Sequence, residues 1–185
     1  DSSPAIMIAD GGGILIADGG SFTTSGAMSQ GIYSKGDVTV TNASVNALNA
    51  KAAVLKGNNT ITLSGTILEG KETTDAVPYN IVLFSDEKDI GTMGTQHFDV
   101  RGGSLISHKG GMFYVTATHG KISLNGTAIT MDNPAANLIT VAGNDGANGW
   151  GTPGRNGGHV ELVADNQILT GNISVDSISN INMTL

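Results

Sequence analysis

Asp37-Val-Thr-Val-Thr-Asn-Ala-Ser-Val45 is followed 23 residues later by Thr60-Ile-Thr-Leu-Ser-Gly-Thr-Ile-Leu68. Each stretch sets two apolar residues two apart, crosses a polar turn, and reaches a third apolar residue five positions after the second. Period-two alternation describes a strand with one face in a core. The turns hold Asn42 and Gly65, residue types that take the left-handed backbone conformation a sharp corner demands. The cassette recurs in Phe98-Asp-Val-Arg-Gly-Gly-Ser-Leu105 and Ile122-Ser-Leu-Asn-Gly-Thr-Ala-Ile129.

Worked outward, the repeat covers nearly the whole chain. The alternating pair reads Ile14 and Ile16, Val38 and Val40, Ile61 and Leu63, Phe98 and Val100, Ile122 and Leu124, Val160 and Leu162, Ile181 and Met183. Successive starts lie 24, 23, 37, 24, 38 and 21 residues apart, so the two long intervals carry insertions, at about 73–96 and 143–158. A further apolar strand precedes each pair: Ile6 to Ile8, Ile32 with Tyr33, Ala53 to Leu55, Ile81 to Phe84, Met112 to Val115, Leu138 to Val141, Ile173 with Val175. Three strands and three corners in one short repeat cannot bury their own inner face. Stacking the repeats at ~4.8 Å closes a continuous core, with stability summed between neighbours. The expected fold is all-β, a right-handed parallel β-helix: a three-strand solenoid of about seven rungs over residues 1–185, with Val38, Ile61, Phe98, Ile122 and Val160 stacked as one inner column. A β-sandwich also has short strands and Gly/Asn turns, but would not keep the strand–turn–strand cassette in register. The chain opens on Asp1-Ser-Ser-Pro4 with no amphipathic helix and closes at Leu185 within a strand. Solenoid ends are usually covered, so a longer parent protein is expected.

Composition narrows the function classes. The chain has 27 glycines, 14% charged residues and 39% hydrophobic residues, too apolar for a disordered segment. Its net charge of −7 with only nine Lys and Arg argues against nucleic acid or an anionic membrane surface as partner. No apolar run approaches the ~20 residues of a membrane span. Cysteine is absent, which with a Thr/Asn/Gly-rich acidic surface suits a bacterial exported protein.

Gly31-Ile-Tyr-Ser-Lys-Gly-Asp-Val-Thr-Val-Thr41 and Leu169-Thr-Gly-Asn-Ile-Ser-Val-Asp-Ser-Ile-Ser179 resemble the Gly/Thr/Asn-rich β-helices of bacterial surface adhesins. They are also similar to a carbohydrate-binding β-helix family related to pectate lyases. The resemblance spans the whole chain as a rung pattern. It implies an extracellular or bacterial cell-surface protein that meets polysaccharide or host-surface glycan.

Residues between two inward ones point outward, so the rungs align into outer columns. The sequence alignment gives Asp37, Thr60, His97, Lys121 and His159 in one, then Thr39, Thr62, Asp99, Ser123 and Glu161, then Thr41, Ser64, Arg101, Asn125 and Val163. The early rungs form a Thr/Ser carpet. The later ones concentrate His97, Asp99, Arg101, Lys121, His159 and Glu161 as a candidate polymer-gripping groove, or simply as charges that keep the face soluble. A lyase would need several carboxylates around Ca²⁺ and a strong base for the α-proton. Here Asp99 and Glu161 fall two rungs apart with Ser123 between them.

The Gly143–Gly158 insertion carries the chain's only tryptophan, Trp150, with Asn144, Asp145, Asn148, Arg155 and Asn156. An indole flanked by amides and a carboxylate suits a sugar ring, and long loops on rigid scaffolds often carry function. The competing possibility is an Ω-loop whose indole packs on its own rung. No cofactor is expected. Ca²⁺ held through Asn144 and Asp145 is the one metal the loop would suit, although its spacing matches neither the EF-hand nor the glycine-rich nonapeptide. The acidic run Ser85-Asp-Glu-Lys-Asp89 reads as a solvated loop, and the four histidines lack metal-ligand spacing. The function expected is a non-catalytic surface binding or adhesion module with polysaccharide as ligand. The alternatives are a polysaccharide lyase or hydrolase on the same fold, and a structural stalk.

Overall fold

The computed structural model describes residues 3–72, 78–85, 94–144 and 152–185. Among them are nineteen strands and no helix, in three sheets paired parallel throughout. The first sheet stacks β1 (Ile6–Ile8), β4 (Ile32–Ser34), β7 (Ala53–Lys56), β10 (Tyr79–Phe84), β13 (Gly111–Thr116), β16 (Asn137–Val141) and β18 (Asn172–Val175). The second stacks β2 (Ile14–Asp18), β5 (Asp37–Thr41), β8 (Thr60–Ser64), β11 (Thr95–Arg101), β14 (His119–Asn125), β17 (His159–Asp165) and β19 (Asn180–Thr184). The third holds β3 (Ser21–Thr24), β6 (Ser44–Ala47), β9 (Ile67–Gly70), β12 (Ser104–Ser107) and β15 (Ala128–Met131). Taken in chain order, successive strands visit the sheets in turn, which makes a parallel β-helix with three strands to a rung. The 73–96 span carries β10 at its centre.

The corner from second to third sheet explains how the chain turns without breaking its ladder. Gly19, Asn42, Gly65, Gly102, Gly126 and Asn166 stack there, all at φ between 47° and 77°. Their N–H groups keep donating to the next rung: Asn42 to the Ser64 carbonyl at 2.8 Å, Gly65 to Arg101 at 2.9 Å, Gly102 to Asn125 at 2.8 Å. The requirement is sharpest at Gly103, also at positive φ, where a Cβ would run into the Thr66 backbone.

Inside, Val38, Ile61, Phe98 and Ile122 pair in register and are buried, as the repeat predicts. Two rungs depart from it. Val160 faces inward but pairs with Gly120, so Leu162 takes the place above Ile122 and Ala164 the place above Leu124. In the first rung Leu15 and Ala17 pair with Val38 and Val40. Ile14 and Ile16, read from sequence as inward, point out and are 75% and 76% exposed. β2 is apolar on both faces, and β17 carries three inward apolar residues in alternation, Val160, Leu162 and Ala164, so alternation alone does not choose the register, and the corner does. Ala17 lies five residues before Phe22, which pairs with Val45, and Asn166 occupies the corner that Gly126 occupies one rung below.

The middle strands of the first sheet, β7, β10, β13 and β16, are buried on both faces. Their inner side joins the main core. Their outer side forms a second cluster of Val54, Tyr79, Val82 and Tyr114, with Tyr33, Phe84 and Ala142 packed against it. The rings of Tyr79 and Tyr114 lie 4.8 Å apart. Their hydroxyls find partners, as buried phenols must: Tyr79 donates to Thr140 Oγ1 at 3.0 Å and Tyr114 to the Gly143 carbonyl at 2.7 Å.

Gly143 is also held from the last rung. Asp176 Oδ2 accepts its N–H at 2.7 Å, and Asp176 Oδ1 accepts that of Ile178 at 3.1 Å. Partial burial pushes the Asp176 carboxyl upward, but the hydrogen bonds from Gly143, Ser179 and Ile178 outweigh it and hold the group below its ordinary value. A depressed carboxyl stabilises the fold above its unfolded value and loses that contribution as pH falls through the folded one. Asp176→Asn is therefore expected to flatten the acid limb of a melting-temperature profile recorded from about pH 5 down to about pH 2.5. A variant profile parallel to the wild type throughout that window would contradict the linkage.

Candidate functional site

The outer face of the second sheet is built by the ladder itself, because each inward residue fixes the outward side chains beside it. Phe98 sets His97 and Asp99, and Ile122 sets Lys121 and Ser123. The observed rows are Thr95, His119, His159 and Asn180; then His97, Lys121, Glu161 and Asn182; then Asp99, Ser123, Val163 and Thr184; then Arg101, Asn125 and Asp165. Thr60, Thr62 and Ser64 continue the last three rows on β8, and Thr39 and Thr41 the last two on β5, so the Thr/Ser carpet is there.

The sequence alignment needs correction on β17. Glu161 stands in the row of Lys121, not of Asp99, and His159 stands beside His119. Lys121 Nζ lies 3.4 Å from Glu161 Oε2, both well exposed, a pair worth about 0.2–1 kcal/mol. The carboxylate that the sequence set in line with Asp99 is thus turned to a lysine. Asp165 is engaged too, accepting from Asn125 Nδ2 at 2.7 Å. Among the described residues no group of three His, Asp or Glu side chains converges as a metal ion would require.

His119 and His159 stack on adjacent rungs with ring centroids 4.9 Å apart and planes 31° off parallel. Asn180 Nδ2 lies 2.7 Å from His159 Nδ1. With its nitrogen there the amide donates to Nδ1 of the Nε2–H tautomer, and turned over it accepts from an Nδ1–H. Around this pair an open depression of about 300 Å³ is lined by Thr95, His119, Lys121, His159, Glu161 and Asn182 among others. A second, of about 380 Å³, is lined by His97, Asp99, Arg101, Ser123 and Asp165 and shares Lys121 with the first. The two make one polar surface crossing β11, β14 and β17.

Trp150 and Asp145 lie outside the described residues. Asn144 sits buried in the base of the loop: its N–H donates to the Arg155 carbonyl at 2.6 Å, its own carbonyl accepts from Gly154 at 3.0 Å, and Oδ1 accepts from Thr116 Oγ1 at 3.3 Å. The Arg155 side chain is exposed. The loop returns beside the depression. Ala117 N–H donates to the Asn156 carbonyl and His159 N–H to that of Thr118, each at 2.9 Å.

Thr95, His119, Asn180 and Asn182 were not legible as site residues, because the misaligned rung moved their neighbours away. A signal existed: His119-Gly-Lys121 and His159-Val-Glu161 lie 40 residues apart, the same separation as the corner-flanking Asn125 and Asp165. Elsewhere, on the edge beyond the third sheet, His108 Nδ1 lies 2.7 Å from Asp132 Oδ2 and its Nε2 lies 2.5 Å from Glu69 Oε1. The contacts tie His108 to residues that follow or lie on β9 and β15, which makes this a brace across three rungs.

Compared with known proteins, the chain matches no family model, no curated protein and no solved structure.

Proposed function

We propose that this chain is a non-catalytic binding module of an exported or cell-surface bacterial protein, which holds polysaccharide against the outer face of its second sheet. The observation that carries the reading is the pair of depressions joined at Lys121. They place imidazole, amide, hydroxyl, guanidinium and carboxylate groups in rows on an unyielding sheet. Sugars are recognised by such mixed donors and acceptors, and a rigid ladder presents them at little ordering cost. The rows step at ~4.8 Å per rung, which suits a polymer with repeating hydroxyls. The rung pattern's resemblance to surface adhesins supports the same reading.

The test is calorimetric titration with a panel of soluble neutral and acidic polysaccharides, each with and without Ca²⁺. Arg101→Ala and Trp150→Ala are expected to weaken binding by about 1–3 kcal/mol while leaving the melting temperature nearly unchanged. Absence of binding across the whole panel would leave a structural stalk. A falling molecular weight of the polymer would point to the lyase or hydrolase alternative.

A further inference from the structure

We infer that the stacked histidines His119 and His159 form an oxyanion site, so that the polysaccharide taken by this face carries carboxylate or sulfate groups and is held more tightly as pH falls. The inference rests on the binding reading above and names the chemistry of its ligand.

The geometry favours an anion over a metal ion. The two rings stack on adjacent rungs, 4.9 Å apart with planes 31° off parallel, and both line the same depression. Imidazoles stacked in this way carry their nitrogens on neighbouring rung levels, about one strand spacing apart. Side-by-side donors suit the several lone pairs of one carboxylate or sulfate, whereas a metal needs ring lone pairs aimed at one point about 2.0–2.1 Å away. No described residue hydrogen-bonds the His119 ring. On His159, Asn180 occupies Nδ1, which leaves Nε2 as the nitrogen for a ligand.

The charges facing the pair decide how it responds to pH. Thr95 on β11 and Asn180 and Asn182 on β19 are uncharged. Lys121 and Glu161, one position along β14 and β17, pair with each other at 3.4 Å. His97 on β11 stands in the next row beside Lys121. The net charge of the depression is therefore set by imidazole protonation, the one side-chain titration that ordinarily falls between about pH 5 and pH 8. Protonating both rings without a ligand brings like charges together, and an oxyanion between them relieves that repulsion. Anion binding and proton uptake then reinforce one another, as linkage requires. The Asn180 amide can follow the change, since turning it over offers Oδ1 to a protonated Nδ1. On a chain of net charge −7 with nine Lys and Arg, such a site discriminates. Imidazole N–H groups take an anion weakly when neutral, and protonation adds the charge that the rest of the surface withholds.

The experiment compares dextran, dextran sulfate and oligogalacturonate binding to the intact chain at about pH 5.5 and about pH 8, at a constant ionic strength of about 0.15 M. The wild type is expected to bind one or both anionic probes about tenfold more tightly at the lower pH, the scale of one charge-assisted hydrogen bond, with dextran unaffected. The two anionic arms tell carboxylate from sulfate recognition. His119→Gln and His159→Gln, checked for folding by circular dichroism, are expected to lose that pH dependence. Acidification lowers the overall negative charge of variants and wild type alike, so the difference between them isolates the imidazoles. Variants that keep the full pH dependence, or a wild type that binds polysaccharides with no anionic preference, overturn this inference and leave the binding function standing. Failure to bind any probe here and any member of the wider panel overturns both.

Discussion

Replacing Glu72 by alanine is expected to lower the free energy of unfolding by about 3–5 kcal/mol, the scale of breaking a buried ion pair from one side. Lys51 precedes β7 and Glu72 follows β9, so the pair joins successive rungs at the corner between the third and first sheets. Lys51 Nζ lies 3.0 Å from Glu72 Oε2, with the two side chains only 7% and 5% exposed. Taking both charges out of water costs several kcal/mol per ion, and their attraction does no more than roughly offset it. The single substitution therefore hurts more than the pair helps. Lys51→Met combined with Glu72→Leu is expected to recover most of the loss. Urea denaturation of Lys51→Met, Glu72→Leu and their double variant, alongside Glu72→Ala, measures this directly. Two additive losses, with no recovery in the double variant, would show that the pair is not coupled.

Phe98→Ala is the second large effect, again about 3–5 kcal/mol. Phe98 is fully buried between Ile61 and Ile122 in the inner column. Its ring meets that of Phe113 across the core edge-to-face, centroids 5.7 Å apart at 76°, an arrangement worth about 0.5–1.5 kcal/mol beyond area burial. Alanine removes that contact and opens a cavity where strands of the first and second sheets face each other. The consequence reaches the surface, because Phe98 sits between His97 and Asp99 and Val100 leads to Arg101. The variant is thus expected to bind polysaccharide less well even where it remains folded, whereas Phe98→Leu, closer in volume, should cost less on both counts. Thermal unfolding and binding titrations of the two variants separate these outcomes. A Phe98→Ala protein as stable as Phe98→Leu would show that the core closes over the gap.

The loop base offers a contrast. Asn144 was singled out in sequence as a ligand-contacting residue, yet its hydrogen bonds run inward to Arg155, Gly154 and Thr116. The same amide that suits a sugar hydroxyl also suits the backbone of a tight loop. Residue type does not separate the two roles. Position does, and that position depends on β13 lying beneath.

By itself the sequence determined the rung. Val38 to Val45 and Ile61 to Leu68 carry their own instructions: alternation turns one face inward, Asn42 and Gly65 make the corner, and the fixed five-residue step sets the next inward side chain. These are local effects of backbone conformation and side-chain polarity, so they can be read without knowing what lies above or below. Only the tertiary structure decided where rungs meet. Ile14-Leu-Ile-Ala17 is apolar on both faces, so a one-residue slide keeps an apolar face inside. Val160, Leu162 and Ala164 alternate over three positions, so a two-residue slide does the same, and the choice falls to the ladder of neighbouring strands and the stacked corner residues. The contacts that join β14 to β17 at the candidate site span such a boundary: His119 with His159, Lys121 with Glu161, Asn125 with Asp165, each 40 residues apart. No local preference encodes those pairs, because each exists only once two rungs are locked in register by their buried side chains.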